Sequence, residues 1–169
     1  MFSLFNLFSK LNFLKDYTQI SKYIFIGNKY ISQNKNFFQN NNIKVVVNCS
    51  KNIDFLNINK KIYKYRIYLD DDLAIHTIAL MSLYMKKLIP IINNHINKKH
   101  KILIHCKAGM QRSTSFVAAL LMYRYNIQKN FAMKTIKHKR SCAFFPLPNF
   151  NLSLHLYQDY LINKSISEN

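Results

Sequence analysis

A chain of 169 residues, 49% hydrophobic and rich in phenylalanine and tyrosine, can bury one sizeable core but hardly two, so a single domain is expected. The formal charge of +18, from 25 lysines and arginines against 7 acids, predicts attraction to anions such as phosphoproteins, nucleic acid or anionic lipid, or else a merely solvated basic surface. Three widely spaced cysteines exclude a disulfide framework and a short-spaced zinc site and imply a reducing compartment, and no apolar run approaches the roughly 18 residues of a bilayer span.

The first segment, MFSLFNLFSKLNFLKDY, carries apolar residues at 2, 4, 5, 7, 8, 11, 13 and 14, the spacing of an amphipathic helix, without the small-residue cleavage site of a signal peptide. We take residues 1–18 as this segment and 19–169 as the main domain. YIFIGN then reads as a short strand ending in a turn at Gly27, and IKVVVNCS, with its β-branched run, as a fully buried strand. YKYRIYLDDD alternates apolar and polar residues from Tyr63 to Leu69 and then meets three acids, so a strand feeds a loop. The apolar spacing from Ile78 to Ile96 suits a buried helix, bent or interrupted at Pro90. KILIHC is the next strand and RSTSFVAALLMYRY the next helix, and NFAMKTIKHKR and NFNLSLHLYQDYLI are two further helical patterns separated by SCAFFPLP. Strands alternating with helices give an α/β domain with a largely parallel central sheet flanked by helices.

The chemistry lies in ILIHCKAGMQRSTSFVAALLM, where a strand ending at Ile104 is followed by a loop from Cys106 to Gln111 and a helix starting near Arg112. Such a loop turns the backbone N–H groups of Lys107, Ala108, Gly109, Met110, Gln111 and Arg112 toward one point, and the helix dipole adds positive potential there. A thiolate at Cys106 would be stabilised at the lip of this anion cradle and would act as a nucleophile. Arg112, one of only four arginines, can hold two oxygens of a tetrahedral dianion with its planar fork, which a lysine's point charge does less well. Gly109, one of two glycines, sits where the loop turns tightly, and Ser113 can donate to the sulfur as it leaves. Taken singly, Cys106 could be a buried small hydrophobe, Arg112 a surface residue and His105 a core histidine; their common spacing in a strand-loop-helix context points instead to phosphoryl chemistry.

His105-Cys106-x5-Arg112-Ser113 resembles the signature loop of the cysteine-dependent protein phosphatases, and HCKAGMQRSTSFVAALLM is most similar to their dual-specificity branch. YIFIGNKYISQNKNFFQNNNIKVVVNCS resembles that family's N-terminal strand, turn, helix and strand, and PNFNLSLHLYQDYL its closing helix, so the likeness covers about residues 23 to 162. The chain has no tryptophan, and so lacks the Trp-Pro-Asp loop of the larger tyrosine-specific branch. The short first segment also resembles poxvirus-type members, and that resemblance implies a viral protein whose segment 1–18 packs across a homodimer. Packing within the same chain, or docking on an anionic membrane assisted by Lys10 and Lys15, are the other readings of that segment.

The resemblance implies the single-domain cysteine-phosphatase fold and a metal-independent phosphomonoester hydrolase without cofactor, acting through a phosphocysteine on phosphotyrosine and phosphoserine/threonine in proteins. Cys106 is then the nucleophile, Arg112 and the amides of 107–112 bind phosphate, and His105 and Ser113 support the loop. The general acid falls in LDDDL: Ile67 and Leu69 precede Asp71 as the family's apolar pair precedes its acid, with Asp70 the second choice and Asp72 a candidate helix cap. A lipid phosphatase at anionic membranes is the alternative, since Lys107 in HCKAG resembles the phosphoinositide and phosphatidylglycerophosphate branch. The acid cluster and Ser113-Thr114 argue against an RNA triphosphatase, so no nucleic-acid partner is expected, and the intact Cys106 and Arg112 argue against a non-catalytic phosphate reader. The reducing compartment implied is the cytoplasm, of a host cell or a virion's contents. Cys49 ends VVVNC as Cys106 ends ILIHC, so the two sulfurs are either neighbours at one sheet edge, able to form a protective disulfide, or Cys49 is core packing.

Overall fold

The structure, a computed structural model, describes residues 15–58, 61–70, 72 and 74–167. Five strands, β1 (Tyr17–Gln19), β2 (Ile24–Gly27), β3 (Ile43–Asn48), β4 (Tyr63–Arg66) and β5 (Lys101–His105), form one sheet in the order β1-β2-β5-β3-β4. All neighbouring pairs are parallel except β1 with β2. The mixed α/β architecture is the expected one. β1 is the addition, three residues too short to leave a period-2 signal, and the boundary drawn at residue 18 runs through it.

Each central strand buries both faces, as parallel strands must. Ile24, Ile26, Val45, Val47, Ile102 and Ile104 face four helices, α2 (Ile75–Asn97), α3 (Arg112–Tyr125), α4 (Lys129–Lys139) and α5 (Asn151–Ser167). Phe25, Val46 and Leu103 face the other way, onto Phe37 and Phe38 of the short α1 (Lys35–Asn40) and onto Phe55, Leu56 and Ile58. Asn34 caps α1 through its side chain, accepting from the Phe37 N–H at 2.9 Å. Asn126, at φ 50°, ends α3 in the left-handed conformation that asparagine tolerates.

Two local expectations are corrected. Of the two expectations at Pro90, a bend or an interruption, the interruption is corrected: α2 continues through the proline, with Met85, Leu88, Ile89 and Ile92 buried on both sides of it. The same helix is long and apolar enough by length and composition to cross a membrane, yet that face is spent on the core. Strand β4 stops at Arg66 instead of Leu69: the Ile67 N–H still reaches Asn48 O at 2.9 Å, but the Leu69 N–H turns back to Ile67 O at 3.0 Å.

What positions the site is the level end of three parallel strands. Gly27, His105 and Asn48 are paired across β2, β5 and β3, so the segments leaving these strands emerge side by side at one sheet edge.

Candidate active site

Cys106 follows β5 directly and is buried, with its Sγ accepting from the Gly109 N–H at 3.2 Å and lying 3.3 Å from Ser113 Oγ. The loop ends where α3 begins at Arg112, so the sulfur sits at a helix N-terminus. Every carbonyl of residues 107–111 is bound on the outside of the loop. Lys107 O accepts from the Lys29 N–H (3.1 Å), Ala108 O from Arg140 Nη2 (3.3 Å) and Gly109 O from Arg140 Nε (2.7 Å). Met110 O accepts from the Phe144 N–H (2.7 Å) and the Thr114 hydroxyl (2.6 Å), and Gln111 O from the Ser115 N–H (2.9 Å) and the same hydroxyl (2.8 Å). Carbonyls held outward leave the peptide N–H groups inward, which makes an anion cradle.

Both glycines of the chain meet here. Gly109 has φ +69°, and a Cβ on it would lie 2.8 Å from Gly27 O and 2.8 Å from Arg140 Nη2, so both its conformation and its space require glycine. The Cys106 N–H donates to that same Gly27 O at 3.4 Å.

Three of the four arginines serve this edge of the sheet. Arg112 is buried and donates through Nη1 to Leu69 O at 3.0 Å, tying the phosphate fork to the chain that leads into LDDDL. Arg140, 2% exposed, sits behind the cradle, and besides its two loop carbonyls it donates to Lys15 O (3.0 Å) and Thr18 Oγ1 (3.1 Å). Burial pushes its guanidinium below the ordinary value. Arg66 donates to Ser50 O (2.9 Å) and Lys51 O (3.0 Å) while its guanidinium lies over Phe55 and Tyr68. Sequence reasoning missed Arg140 and Arg66. The available signal was compositional: in a chain that otherwise uses lysine, arginine appears where a planar, multi-donor fork is required.

The remaining candidates separate. His105 is buried at the end of β5, its O accepting from the Cys49 N–H at 2.7 Å and its Nδ1 without a hydrogen-bond partner among the described residues. Burial first, and the Arg66 and Arg112 charges after it, hold its imidazole down to about 4. It is therefore neutral at pH 7 and adds no positive charge beside the sulfur. Lys107 and Ala108 are exposed, and Met110 is half-buried. The Gln111 side chain turns away from the cradle: Nε2 donates to Phe145 O and Leu147 O, both at 2.8 Å, and Oε1 accepts from the Asn149 N–H at 3.0 Å. Asp70 pairs with Lys51 at 3.5 Å on the surface. Asp72 accepts from the Ala74 N–H at 3.3 Å, and a hydrogen bond from Thr77 holds its carboxyl below the ordinary value, so it is engaged just ahead of α2, whose N-cap position is Ala74. Asp71 lies outside the described residues, as do residues 1–14 of the first segment. Cys49 is fully buried, and burial, then the negative charge of Cys106, pushes its thiol up while Arg112 opposes them.

The chain matches the family described as Dual specificity phosphatase, catalytic domain, over residues 24–160. It is 37% identical to AMV078 of Amsacta moorei entomopoxvirus, assigned as a tyrosine-protein phosphatase, over 80% of each chain. Among solved structures, human DUSP28 superposes with a TM-score of 0.77 at 19% identity, covering 88% of this chain and 96% of that one. PTPMT1 in complex with PI(5)P gives 0.70 at 17% identity, covering 89% and 99%. These two structures are likenesses of fold. The cradle at the end of β5 and the match across most of the sequence agree: this chain belongs to the dual-specificity phosphatase family of protein phosphatases.

Proposed function

We propose that the protein hydrolyses phosphotyrosine and phosphoserine/threonine in proteins through a phosphocysteine intermediate. The observation that carries this is the Cys106 sulfur beside the Gly109 N–H and the Ser113 hydroxyl, in a loop whose carbonyls are all bound outward. The Cys106 thiolate attacks phosphorus in line, forming the S–P bond as the P–O bond to the leaving oxygen breaks. The cradle N–H groups and the Arg112 fork hold the equatorial oxygens as charge develops on them. Asp71 gives its proton to the departing oxygen and then, as carboxylate, takes one from the water that attacks phosphorus. Sulfur leaves as thiolate, stabilised by Ser113 Oγ. No step calls for a metal or cofactor. The assignment to Asp71 is supported by its neighbours, since Asp70 is engaged by Lys51 and Asp72 by the start of α2.

The direct test is hydrolysis of 4-nitrophenyl phosphate by the wild type and by Cys106→Ser. The variant is expected to lose turnover while still binding tungstate in calorimetry, because amides and Arg112 remain. Substantial turnover by Cys106→Ser would falsify the mechanism. Exposed Lys107, beside the nucleophile, favours a phosphoinositide headgroup as the second reading, and turnover on phosphotyrosyl peptides against vesicle-presented lipid phosphate decides between them. Three free cysteines support a cytoplasmic location. The homodimer rests on residues 1–14, and solution mass with and without residues 1–15 tests it.

A further inference from the structure

Beside the cradle lies a groove of about 470 Å³ that the mechanism does not use. One wall is Phe144, Pro146 and Leu147, and the other is the face of α4 carrying Lys134, Lys137 and His138. Among the described residues no acid lines it, and α4 contains four lysines and no acid. Phe145 and Leu147 are 52% and 73% exposed, large apolar side chains that gain nothing from facing water.

This loop is bolted to the phosphate cradle by two consecutive cradle residues. The Phe144 N–H bonds Met110 O, and the Gln111 side chain, at a position whose backbone serves the cradle, fastens Phe145 O, Leu147 O and the Asn149 N–H. A phosphorylated side chain seated at Cys106 therefore has the groove within reach of a few residues of its own extended chain.

We propose that this groove reads the substrate polypeptide next to the phosphorylated residue, selecting an acidic segment that carries one large apolar side chain. The apolar residue packs on Phe144, Pro146 and Leu147, and the acids face Lys134, Lys137 and His138. Charge complementarity commits the groove to an acidic occupant, and a concave slot between an apolar and a basic wall receives a side chain better than a flat bilayer surface does. Gln111 is on this account a positioning residue, coupling cradle and groove. The inference rests on the phosphoprotein reading above.

The test compares a phosphotyrosyl peptide flanked by glutamates and one leucine with the same peptide bearing glutamines, using wild type and the double variant Lys134→Glu/Lys137→Glu. The wild type should prefer the glutamate peptide. The double variant should raise KM for it by about tenfold at low salt, with kcat and 4-nitrophenyl phosphate turnover unchanged, and the difference should shrink in high salt. Binding of both peptides to Cys106→Ser, with and without the lysine reversals and read by fluorescence anisotropy, examines the groove even if turnover fails. The phosphatase reading and the groove can thus fail separately. Equal handling of the two peptides by wild type overturns the proposal. So does a Leu147→Glu variant that loses phosphatidylglycerol vesicle binding while peptide kinetics stay unchanged, which would make the surface a membrane contact.

Discussion

The cradle loop and the segment leading into LDDDL are joined through Arg112 but are held in opposite ways. The carbonyls of residues 107–111 are fixed from behind by Arg140, Thr114 and three backbone N–H groups, those of Lys29, Phe144 and Ser115. The acid segment is anchored at its start by buried Ile67 and Leu69 and by Arg112 to Leu69 O, but its described acids make surface contacts only, Lys51 with Asp70 and Asp72 with the Ala74 N–H. On the proposed mechanism, phosphate binding is thus built into the folded core, whereas proton transfer is attached to it through the same arginine that would hold the phosphate. Changes in the first region should cost stability and rate together, and changes in the second should cost rate alone.

Asp71→Asn is the largest departure expected on the acid side. It should slow hydrolysis of poor leaving groups such as alkyl phosphates by about 10²–10⁴-fold, spare activated aryl phosphates, and leave the melting temperature unchanged. A loss independent of leaving group, or one seen in Asp70→Asn instead, would move the acid.

Arg140→Lys probes the other side. An ammonium cannot serve Gly109 O, Ala108 O, Lys15 O and Thr18 Oγ1 from one fork, so at least two charge-assisted bonds go, at roughly 2–4 kcal/mol in stability. For a domain of this size that is roughly 5–15 °C in melting temperature. Turnover should fall as well, because the Gly109 N–H at the sulfur shares its loop with the freed carbonyls. A variant that melts like wild type would erase the contrast between the regions.

These two residues also mark what the sequence could disclose. Cys106, Gly109, Arg112 and Ser113 are legible because one local loop carries the whole geometry, and the alternation of strands and helices gives the sheet. Arg140 reaches Gly109 across 31 positions and Gln111 reaches Asn149 across 38, so nothing local announces either contact. Gln111 was foreseen through its backbone only; its side chain serves a different loop. β1 is too short for periodicity, and Pro90 is overruled by the packing of α2, which a local rule cannot weigh.

His105 extends the comparison to pH. Its folded-state value of about 4 lies below the ordinary 6.5, so between these pH values the unfolded chain binds a proton that the folded chain refuses. Its contribution is complete above about pH 6.5 and is lost as pH falls through 4, on the order of 3 kcal/mol in all. Asp72, also held low, titrates below this window. His105→Gln should therefore flatten the slope of unfolding free energy between pH 7 and pH 4.5, and an unaltered slope would place the sensitivity elsewhere.

The smallest effect belongs to Asp70. Its pair with Lys51 is more than half exposed on both sides, so solvent screens the attraction and the ordering of two long side chains offsets much of it. Lys51→Ala should change stability by less than about 1 kcal/mol, and less again in high salt. Arg66 holds Lys51 O, a backbone atom that the substitution keeps, so the 50–51 segment stays in place. Activity should move little too, since the carboxylate freed at residue 70 is not the one assigned to the proton. The informative measurement is the pH profile for an alkyl phosphate: an unshifted alkaline limb in Lys51→Ala keeps Asp70 out of the chemistry. A limb that shifts when only the lysine beside Asp70 is removed would make Asp70 the donor.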